Sequence, residues 1–494
     1  MSSKSHQLSK SSLIRSIQCL KSLYLYKNNY KLRDKPDIKQ QQKFNRGHRI
    51  GKLAQQLFPE GKDCTPPNPM QYQQSIAATK LLTAQQYPVI YEAAFKYQGI
   101  LIALDILECK NGIFTAYEVK SSMSISQTYL LDCAIQYYVI RQSGIPLEDF
   151  YLIHINGNYT RNGTLEIEKL FKKKSVLKEI VKLQPYIQER INAAIQVLEQ
   201  PQAPDIAVGT HCTKPYPCDF INYCWKNISS DSIWYLQGIS INDKIEAVAS
   251  GITTIEAYAQ KHQDNIKLKS YIEHTEIINK KELLNYYKKI QYPIAFFDVE
   301  AFQSAFPVFE NTKPYERIPF LYSLHIKNTT TEDYIHKDYF SKADADYRKD
   351  FLLKFLEDTA HLNTILVYND LMEKNVLNYL ADLFPEYKQE INKRISIMID
   401  MEIPFKRLYY YHPMQLGSLS LKTIAASMLK SSNPYLSVDV KDGEEAMAIY
   451  NELFYLSEAE RLNYYNKLRT YCKTDTYVLT IIFEELLYKA KSEF

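Results

Sequence analysis

Two apolar, β-prone runs, ILIALDILEC (100–109) and IFTAYEVK (113–120), flank Lys110-Asn111-Gly112. Asn-Gly between such runs predicts a two-residue hairpin turn, because both central residues of that turn need positive φ. The turn fixes the register. Lys110 faces Ile113, Asp105 faces Glu118, and alternation by twos puts Lys120 on the face of Glu118. Directly opposed residues have Cβ atoms about 5 Å apart, and like charges there destabilise the pair. The neighbours are mostly apolar, so solvent gives little relief. A divalent cation between the carboxylates would remove the cost, and hard oxygen ligands suit Mg²⁺ or Mn²⁺. The lysine could then orient water or stabilise charge developing on a phosphate. An ordinary hairpin carrying an acid–lysine surface pair would use the same letters.

A chain of 494 residues is long enough for about two to four domains, each with its own core. Hydrophobic residues at 46% and charged residues at 23% are ordinary for a soluble globular protein. A net charge of +4 does not by itself argue for nucleic acid, though it leaves room for a local basic groove. The 41 tyrosines read as compositional bias rather than as a stacking surface. MSSKSHQLSK lacks the apolar core of a secretory signal, and no run approaches the roughly 18 apolar residues of a membrane helix. The expectation is a cytoplasmic protein with no membrane association. Cytoplasmic thiols stay reduced, so clustered cysteines there point to metal rather than to disulfides.

Such a cluster stands in HCTKPYPCDFINYCW (211–225), where Cys212, Cys218 and Cys224 are separated by five residues each. Three thiols do not close a tetrahedral metal site, so a further ligand is required. Cys64, Cys109, Cys133 and Cys472 are scattered and read as buried small hydrophobes or surface thiols. Near the start, LSKSSLIRSIQCLKSLYLYKN predicts a helix, with Leu13, Ile17, Leu20 and Tyr24 at helical spacing and Cys19 inside it.

Three regions follow from the pattern: 1–226, ending in the cysteine cluster; 227–287, short polar helices; and 288–494, a new α/β pattern. The last opens on YPIAFFDVEAF, an apolar strand whose Asp298 and Glu300 face one side. Two acids on a buried strand are costly unless a metal neutralises them. NTILVYNDLMEKNVLNYLADLF reads as a strand ending near Asn369, then a helix, with Asp370 and Glu373 at the junction. SIMIDMEIPF carries Asp400 at a strand end, and GSLSLKTIAASML reads as loop and helix. The helix around LRTYCKTDTYVLTIIFEEL holds Tyr471 and Asp475 one turn apart. Solvated strand and helix ends would be the plain reading of these acids.

Asp105 followed by Glu118-Val119-Lys120 resembles the PD-(D/E)xK nuclease core. Gln136 in DCAIQYYVI resembles the family's Q-x-x-x-Y element, with Ile140 where the Tyr would stand. Glu92 in VIYEAAF resembles a further acidic metal position on the preceding strand. The RecB-like branch carries a His four residues after a Gly in its first helix. In GHRIGKLA that place, counted from Gly47, is taken by Gly51, and His48 is out of phase. Cys19 with Cys212, Cys218 and Cys224 resembles the cysteine set of four-cysteine RecB-like nucleases, which include CRISPR-associated adaptation nucleases and AddB-type domains. Those hold a 4Fe-4S iron-sulfur cluster with a C-x-x-C step, where this chain has two steps with five intervening residues. Zinc held by these cysteines, or by three of them with His211, is the alternative, as are unligated thiols.

The third region resembles the DEDD exonucleases of the RNase H-like fold, the Tyr-type branch. The resemblance implies metal ligands Asp298, Glu300, Glu373 and Asp475, with Tyr471 orienting water or the scissile phosphate. Glu373 stands where an Asp is usual, Asp370 is the fallback, and Asp400 resembles a strand-end Asp between the motifs. HCTKPYPCDFINYCW, KPYERIPFLYSLHI and HPMQLGSLSLKTIA resemble signatures of a bacterial family of unsettled function that joins both halves. The expectation is an α/β protein, a PD-(D/E)xK restriction-endonuclease-like domain plus an RNase H-like mixed-sheet domain. Its expected function is metal-dependent, exonucleolytic hydrolysis of DNA. Two alternatives stand beside it: an N-terminal half that only binds nucleic acid, and a non-catalytic nucleic-acid-binding protein. Protein partners, in repair, phage defence or CRISPR-type systems, stay open.

Overall fold

The computed structural model describes residues 8–68, 71–343 and 345–492. The chain divides into two compact units. One comprises the residues up to Asn227 together with Ser304–Glu316; the other comprises Ile228–Gln303 and the residues from Arg317 on.

In the first unit, helices α1 (Lys10–Gln18) and α2 (Leu20–Asn28) precede strands β1 (Val89–Tyr97), β2 (Ile100–Lys110) and β3 (Ile113–Lys120). Helix α3 (Gln127–Gln142), strands β4 (Leu147–Ile155) and β5 (Phe171–Ser175) and helix α4 (Gln184–Glu199) follow. The sheet is mixed and seven-stranded. The short strand Lys62–Asp63 and β1 to β5 lie side by side in sequence order, and Leu8–Ser9 adds to β2 in parallel. Asn111 (φ 54°) and Gly112 (φ 81°) make the hairpin turn, and the ladder pairs Lys110 with Ile113 through to Ile106 with Tyr117. There it stops. On its other edge β3 pairs with β4 from Phe114 beside Leu147 as far as Lys120 beside His154. One buried cluster joins Ile102, Leu104 and Ala116 of the sheet to Val139 and Ile191 of α3 and α4. A second joins Tyr91, Ile106 and Ile153 to Ile50 and Ala54, with Ala305 of the returning segment.

The single helix expected around Cys19 is two. Cys19 is extended (φ −161°, ψ 117°) and serves as the C-cap of α1 and the N-cap of α2. An extended residue turns its side chain off the helical surface, which a cysteine buried mid-helix could not do.

In the second unit the strands are β6 (Ile294–Gln303), β7 (Arg317–Lys327), β8 (Ile335–Phe340), β9 (Thr364–Val367) and β10 (Met398–Asp400). Its principal helices are α5 (Arg348–Asp358), α6 (Leu371–Leu383), α7 (Leu421–Leu429) and the 34-residue α8 (Glu458–Lys491). The sheet order is β8-β7-β6-β9-β10, antiparallel across β8, β7 and β6 and parallel across β6, β9 and β10. The apolar run of β6 is explained by cover on both faces. Phe296 packs 5.3 Å, centroid to centroid, from Phe483 of α8, and Phe297 packs 4.9 Å from Phe355 of α5. Residues 228–287, set apart in the sequence by their polar helices, belong to this unit: Ile233, Leu236, Ala247, Ile255 and Leu268 form a buried cluster against which Leu416 packs. Among the described residues no helix is long and apolar enough to cross a membrane.

Candidate metal centres

The ladder between β6 and β9 ends at Phe296 beside Leu366, while β6 runs on to Gln303 along β7. Asp298 and Glu300 stand just past that parting, where open α/β sheets characteristically bind ligands. After β9 the chain turns through Asn369, at φ 58°, into α6. Asn tolerates that left-handed conformation better than most residues. α8 supplies Tyr471 and Asp475. The ligand oxygens of Asp298, Glu300 and Asp475 all lie within 4.8 Å of one another, and among the described residues this is the group of three His, Cys, Asp or Glu side chains that does so.

Three carboxylates so close repel, and burial adds to the cost of their charge. Burial pushes Asp298 up to about 6. Burial and then Asp298 push Asp475 up to about 8. Glu300 is raised well above its ordinary value by burial and by Asp298 and Asp475. Glu373, in the first turn of α6, is 3% exposed and is raised by burial and then Asp298; its Oε2 has no hydrogen-bond partner. Two sequence candidates do not join this group. Asp370 pairs with the Lys374 ammonium one turn on, and Asp400 Oδ1 accepts 2.8 Å bonds from the Asn369 and Glu402 amides, so each is engaged by its own neighbours.

The sequence reading missed three neighbours. The Cys472 thiol donates to Asp298 Oδ2 at 3.1 Å. The Tyr435 hydroxyl donates to Asp475 Oδ1. Lys422 of α7 holds its ammonium 4.9 and 4.8 Å from the ring centroids of Tyr435 and Tyr471. Cys472 follows Tyr471 but points to β6 rather than to Asp475, and nothing local marks Lys422 or Tyr435.

These raised pKa values set a pH dependence. Asp298 and Asp475 titrate near 3.8 when unfolded and near 6 and 8 when folded, so between those values the folded state keeps protons that the unfolded state has lost. With divalent cations chelated, stability is expected to fall as pH rises from about 4 to about 8. Asp475→Asn is expected to raise the Tm of the chelated protein at pH 8 by more than about 3 °C and to flatten the slope. Thermal melts across pH check this; a Tm that rises with pH in that window contradicts it.

In the first unit, Asp105, Glu118 and Lys120 are brought to one neighbourhood, but not by simple cross-strand pairing. Asp105 lies just past the end of the ladder and accepts the Val119 amide at 2.6 Å. Opposite it, Glu92 has φ 53°, an uncommon conformation for a residue other than glycine, while the register is the same on both sides, Tyr91 pairing with Ile106 and Ala93 with Leu104. Lys120 reaches Glu118 Oε1 at 2.7 Å and also pairs with Asp132 of α3. Lys10, the first residue of α1, reaches the same Glu118 oxygen at 2.7 Å. Although burial works the other way, these two ammonium groups hold Glu118 well below the usual carboxylate range. Burial and Glu118 raise both Asp105 and Glu92. Gln136, one turn after Asp132, is fully buried with both amide atoms unpartnered. Sequence reasoning missed Lys10 and Asp132; the second lies at i−4 from Gln136, and that helical spacing was the available signal.

Cys19, Cys212, Cys218 and Cys224 line one cavity with His211 and Ile206. Helix α1 and the 211–220 loop are tied by the protein itself. Arg15 and Arg33 each pair with Asp219 at 2.7 Å, and the Gln18 amide donates to the His211 and Tyr216 carbonyls at 2.7 Å. Burial raises the thiols of Cys19 and Cys224, so ligation there would release protons. Tetrahedral zinc with Zn–S bonds of about 2.3 Å would hold its sulfurs about 3.8 Å apart. No three of these thiols fall among the ligand groups closer than 4.8 Å. The donor set is four soft sulfurs around one cavity, and zinc and iron–sulfur groups both take such ligands.

No curated protein matches the chain. A family model described as a domain of unknown function (DUF2779) matches residues 295–420, the stretch that carries Asp298, Glu300 and Glu373.

Proposed function

We propose that the protein is a metal-dependent nuclease that hydrolyses phosphodiester bonds of DNA, exonucleolytically, at the carboxylates of the second unit. One observation carries the reading: Asp298, Glu300 and Asp475, from two elements far apart in sequence, bring their oxygens within 4.8 Å in a buried setting. A divalent cation is the group that offsets such repulsion. The strand order β8-β7-β6-β9-β10, with the acids on the central strand, fits the RNase H-like fold. The first unit fits a PD-(D/E)xK core in its hairpin, its parallel β3–β4 pair and the Asp105, Glu118 and Lys120 constellation. DNA follows from the resemblance to RecB-like nucleases.

Bound Mg²⁺ or Mn²⁺ would supply an activated water and charge stabilisation at the phosphate. Asp298, Glu300 and Asp475 would hold it, with Glu373 beside them. Tyr435 and Cys472 fix the orientation of Asp475 and Asp298 through their hydrogen bonds. Tyr471, 5% exposed, orients the water or the scissile phosphate, and the Lys422 ammonium adds positive charge beside it. The four cysteines would hold a 4Fe-4S cluster as a staple between the start and the end of the first unit, with no redox role.

The test is a nuclease assay on 5′- and 3′-labelled single and double strands. Chelated protein is expected to be inert, and Mn²⁺ or Mg²⁺ to restore stepwise shortening. Cluster-loaded protein that cuts neither DNA nor RNA with either metal contradicts the reading.

A second reading confines cutting to the second unit and leaves the first to bind nucleic acid. It is favoured by the close ligand group lying among second-unit residues only. It predicts that Lys120→Ala leaves the cleavage rate within about twofold, whereas Asp298→Ala removes it. Loss of cleavage in Lys120→Ala with Asp298→Ala still active contradicts it.

A further inference from the structure

Lys10 occupies a place that the hairpin makes available. β2 has β1 along one edge, Leu101 pairing with Lys96. β3 has left the other edge by Ile106, and Leu8–Ser9 takes it over, with Leu8 beside Ile100 and Ser9 beside Leu101. The next residue is Lys10. Its ammonium lies 2.7 Å from Glu118 Oε1 and 3.4 Å from Asp132 Oδ1. Lys120 meets the same Glu118 oxygen at 2.7 Å and the other oxygen of Asp132. Two ammonium groups and two carboxylates thus close a balanced quartet, with Glu118 1% and Asp132 7% exposed. Lys10 is not a loose surface lysine. Ser9 caps its helix, and Arg15 and Gln18 anchor the far turn to Asp219 and to the 211–216 loop.

The other oxygen of Glu118, Oε2, is buried without a hydrogen-bond partner, but a divalent ion there would still sit on a carboxylate whose charge two ammonium groups already meet, in a buried setting where the repulsion is little screened. We propose that Lys10 is a built-in counter-cation at the carboxylates of the first unit, standing where a divalent ion would otherwise bind, so that metal enters only when Lys10 withdraws. This rests on the reading of the first unit as nuclease-like and sharpens it: the letters Asp105, Glu118 and Lys120 are present, but their charge is satisfied by protein.

The test uses full-length protein and Mn²⁺ alone, followed by calorimetry and electron paramagnetic resonance. In an Asp298→Ala background, which silences the second unit, Lys10→Met is expected to gain one Mn²⁺ bound at least about tenfold tighter than in the parent, and Lys10→Arg to gain none. No gain in a folded Lys10→Met protein overturns the proposal. A second arm needs no change at Lys10. Glu118→Gln in otherwise unaltered protein is expected to leave Mn²⁺ stoichiometry unchanged, and loss of a bound Mn²⁺ there also overturns it. If instead Asp298→Ala itself fails to remove Mn²⁺, it is the reading of the second unit that fails, and the Glu118→Gln arm still judges Lys10.

Discussion

Asp298→Ala is expected to lower metal-dependent hydrolysis at least about 10³-fold while leaving the protein folded. Asp298 lies on the central strand β6, in the group whose oxygens fall within 4.8 Å, and it raises the pKa of Glu300, Asp475 and Glu373 alike. Its removal therefore takes away a ligand and also the charge that makes the site attractive to a cation. The fold should survive, because losing one of several mutually repelling carboxylates relieves strain when no cation is bound. Asp475→Asn should act similarly. Glu373→Gln should cost less, about 10- to 100-fold, since its carboxylate lies outside the close group. Steady-state rates on a labelled strand at fixed Mn²⁺ check the ranking. Equal, small losses in all three variants would contradict it.

The second large effect concerns the cysteines. Cys19→Ser, Cys212→Ser, Cys218→Ser and Cys224→Ser are each expected to lose the bound iron and the visible absorbance, and to destabilise the first unit. Structural metal sites contribute on the order of 10 kcal/mol of folding free energy in small domains, so even a fraction of that is a large share of a domain's stability. The protein supplies Arg15–Asp219 and Gln18–His211 contacts at the same place, so the first unit should loosen rather than vanish. Cys64→Ala, at a buried cysteine outside the cavity, should retain the iron. Anaerobic metal analysis with melting curves decides. Iron retained in Cys19→Ser contradicts the assignment, and stoichiometric zinc without visible absorbance replaces the cluster by a single ion.

Local chemistry made part of this molecule readable. The Asn111-Gly112 turn fixed a register that the structure keeps for its first five pairs, because a two-residue loop leaves the strands no freedom to slip. Asp298 and Glu300 were legible from the period of a strand, and Tyr471 with Asp475 from the period of a helix. What escaped came from far along the chain. Lys10 meets Glu118 across 108 positions, and Tyr435 meets Asp475 across 40; no periodicity spans such distances. The break at Cys19 was hidden by an apolar pattern that two short helices share with one long one. Asp400 looked like a ligand because a strand-end acid can serve either a metal or its own turn, and only the Asn369 and Glu402 amides show which. The segment 304–316 joins the first unit although its flanking strands belong to the second, which composition could not reveal.

The proposed function requires that the acids of the second unit form a divalent-metal site that cuts a phosphodiester. A Mn²⁺ titration of chelated, full-length protein, read by electron paramagnetic resonance, tests it most directly. The expected result is bound Mn²⁺ whose spectrum is absent in Asp298→Ala, with cleavage appearing in step with its binding. Cleavage by protein that binds no Mn²⁺, or an identical spectrum in Asp298→Ala, would contradict it.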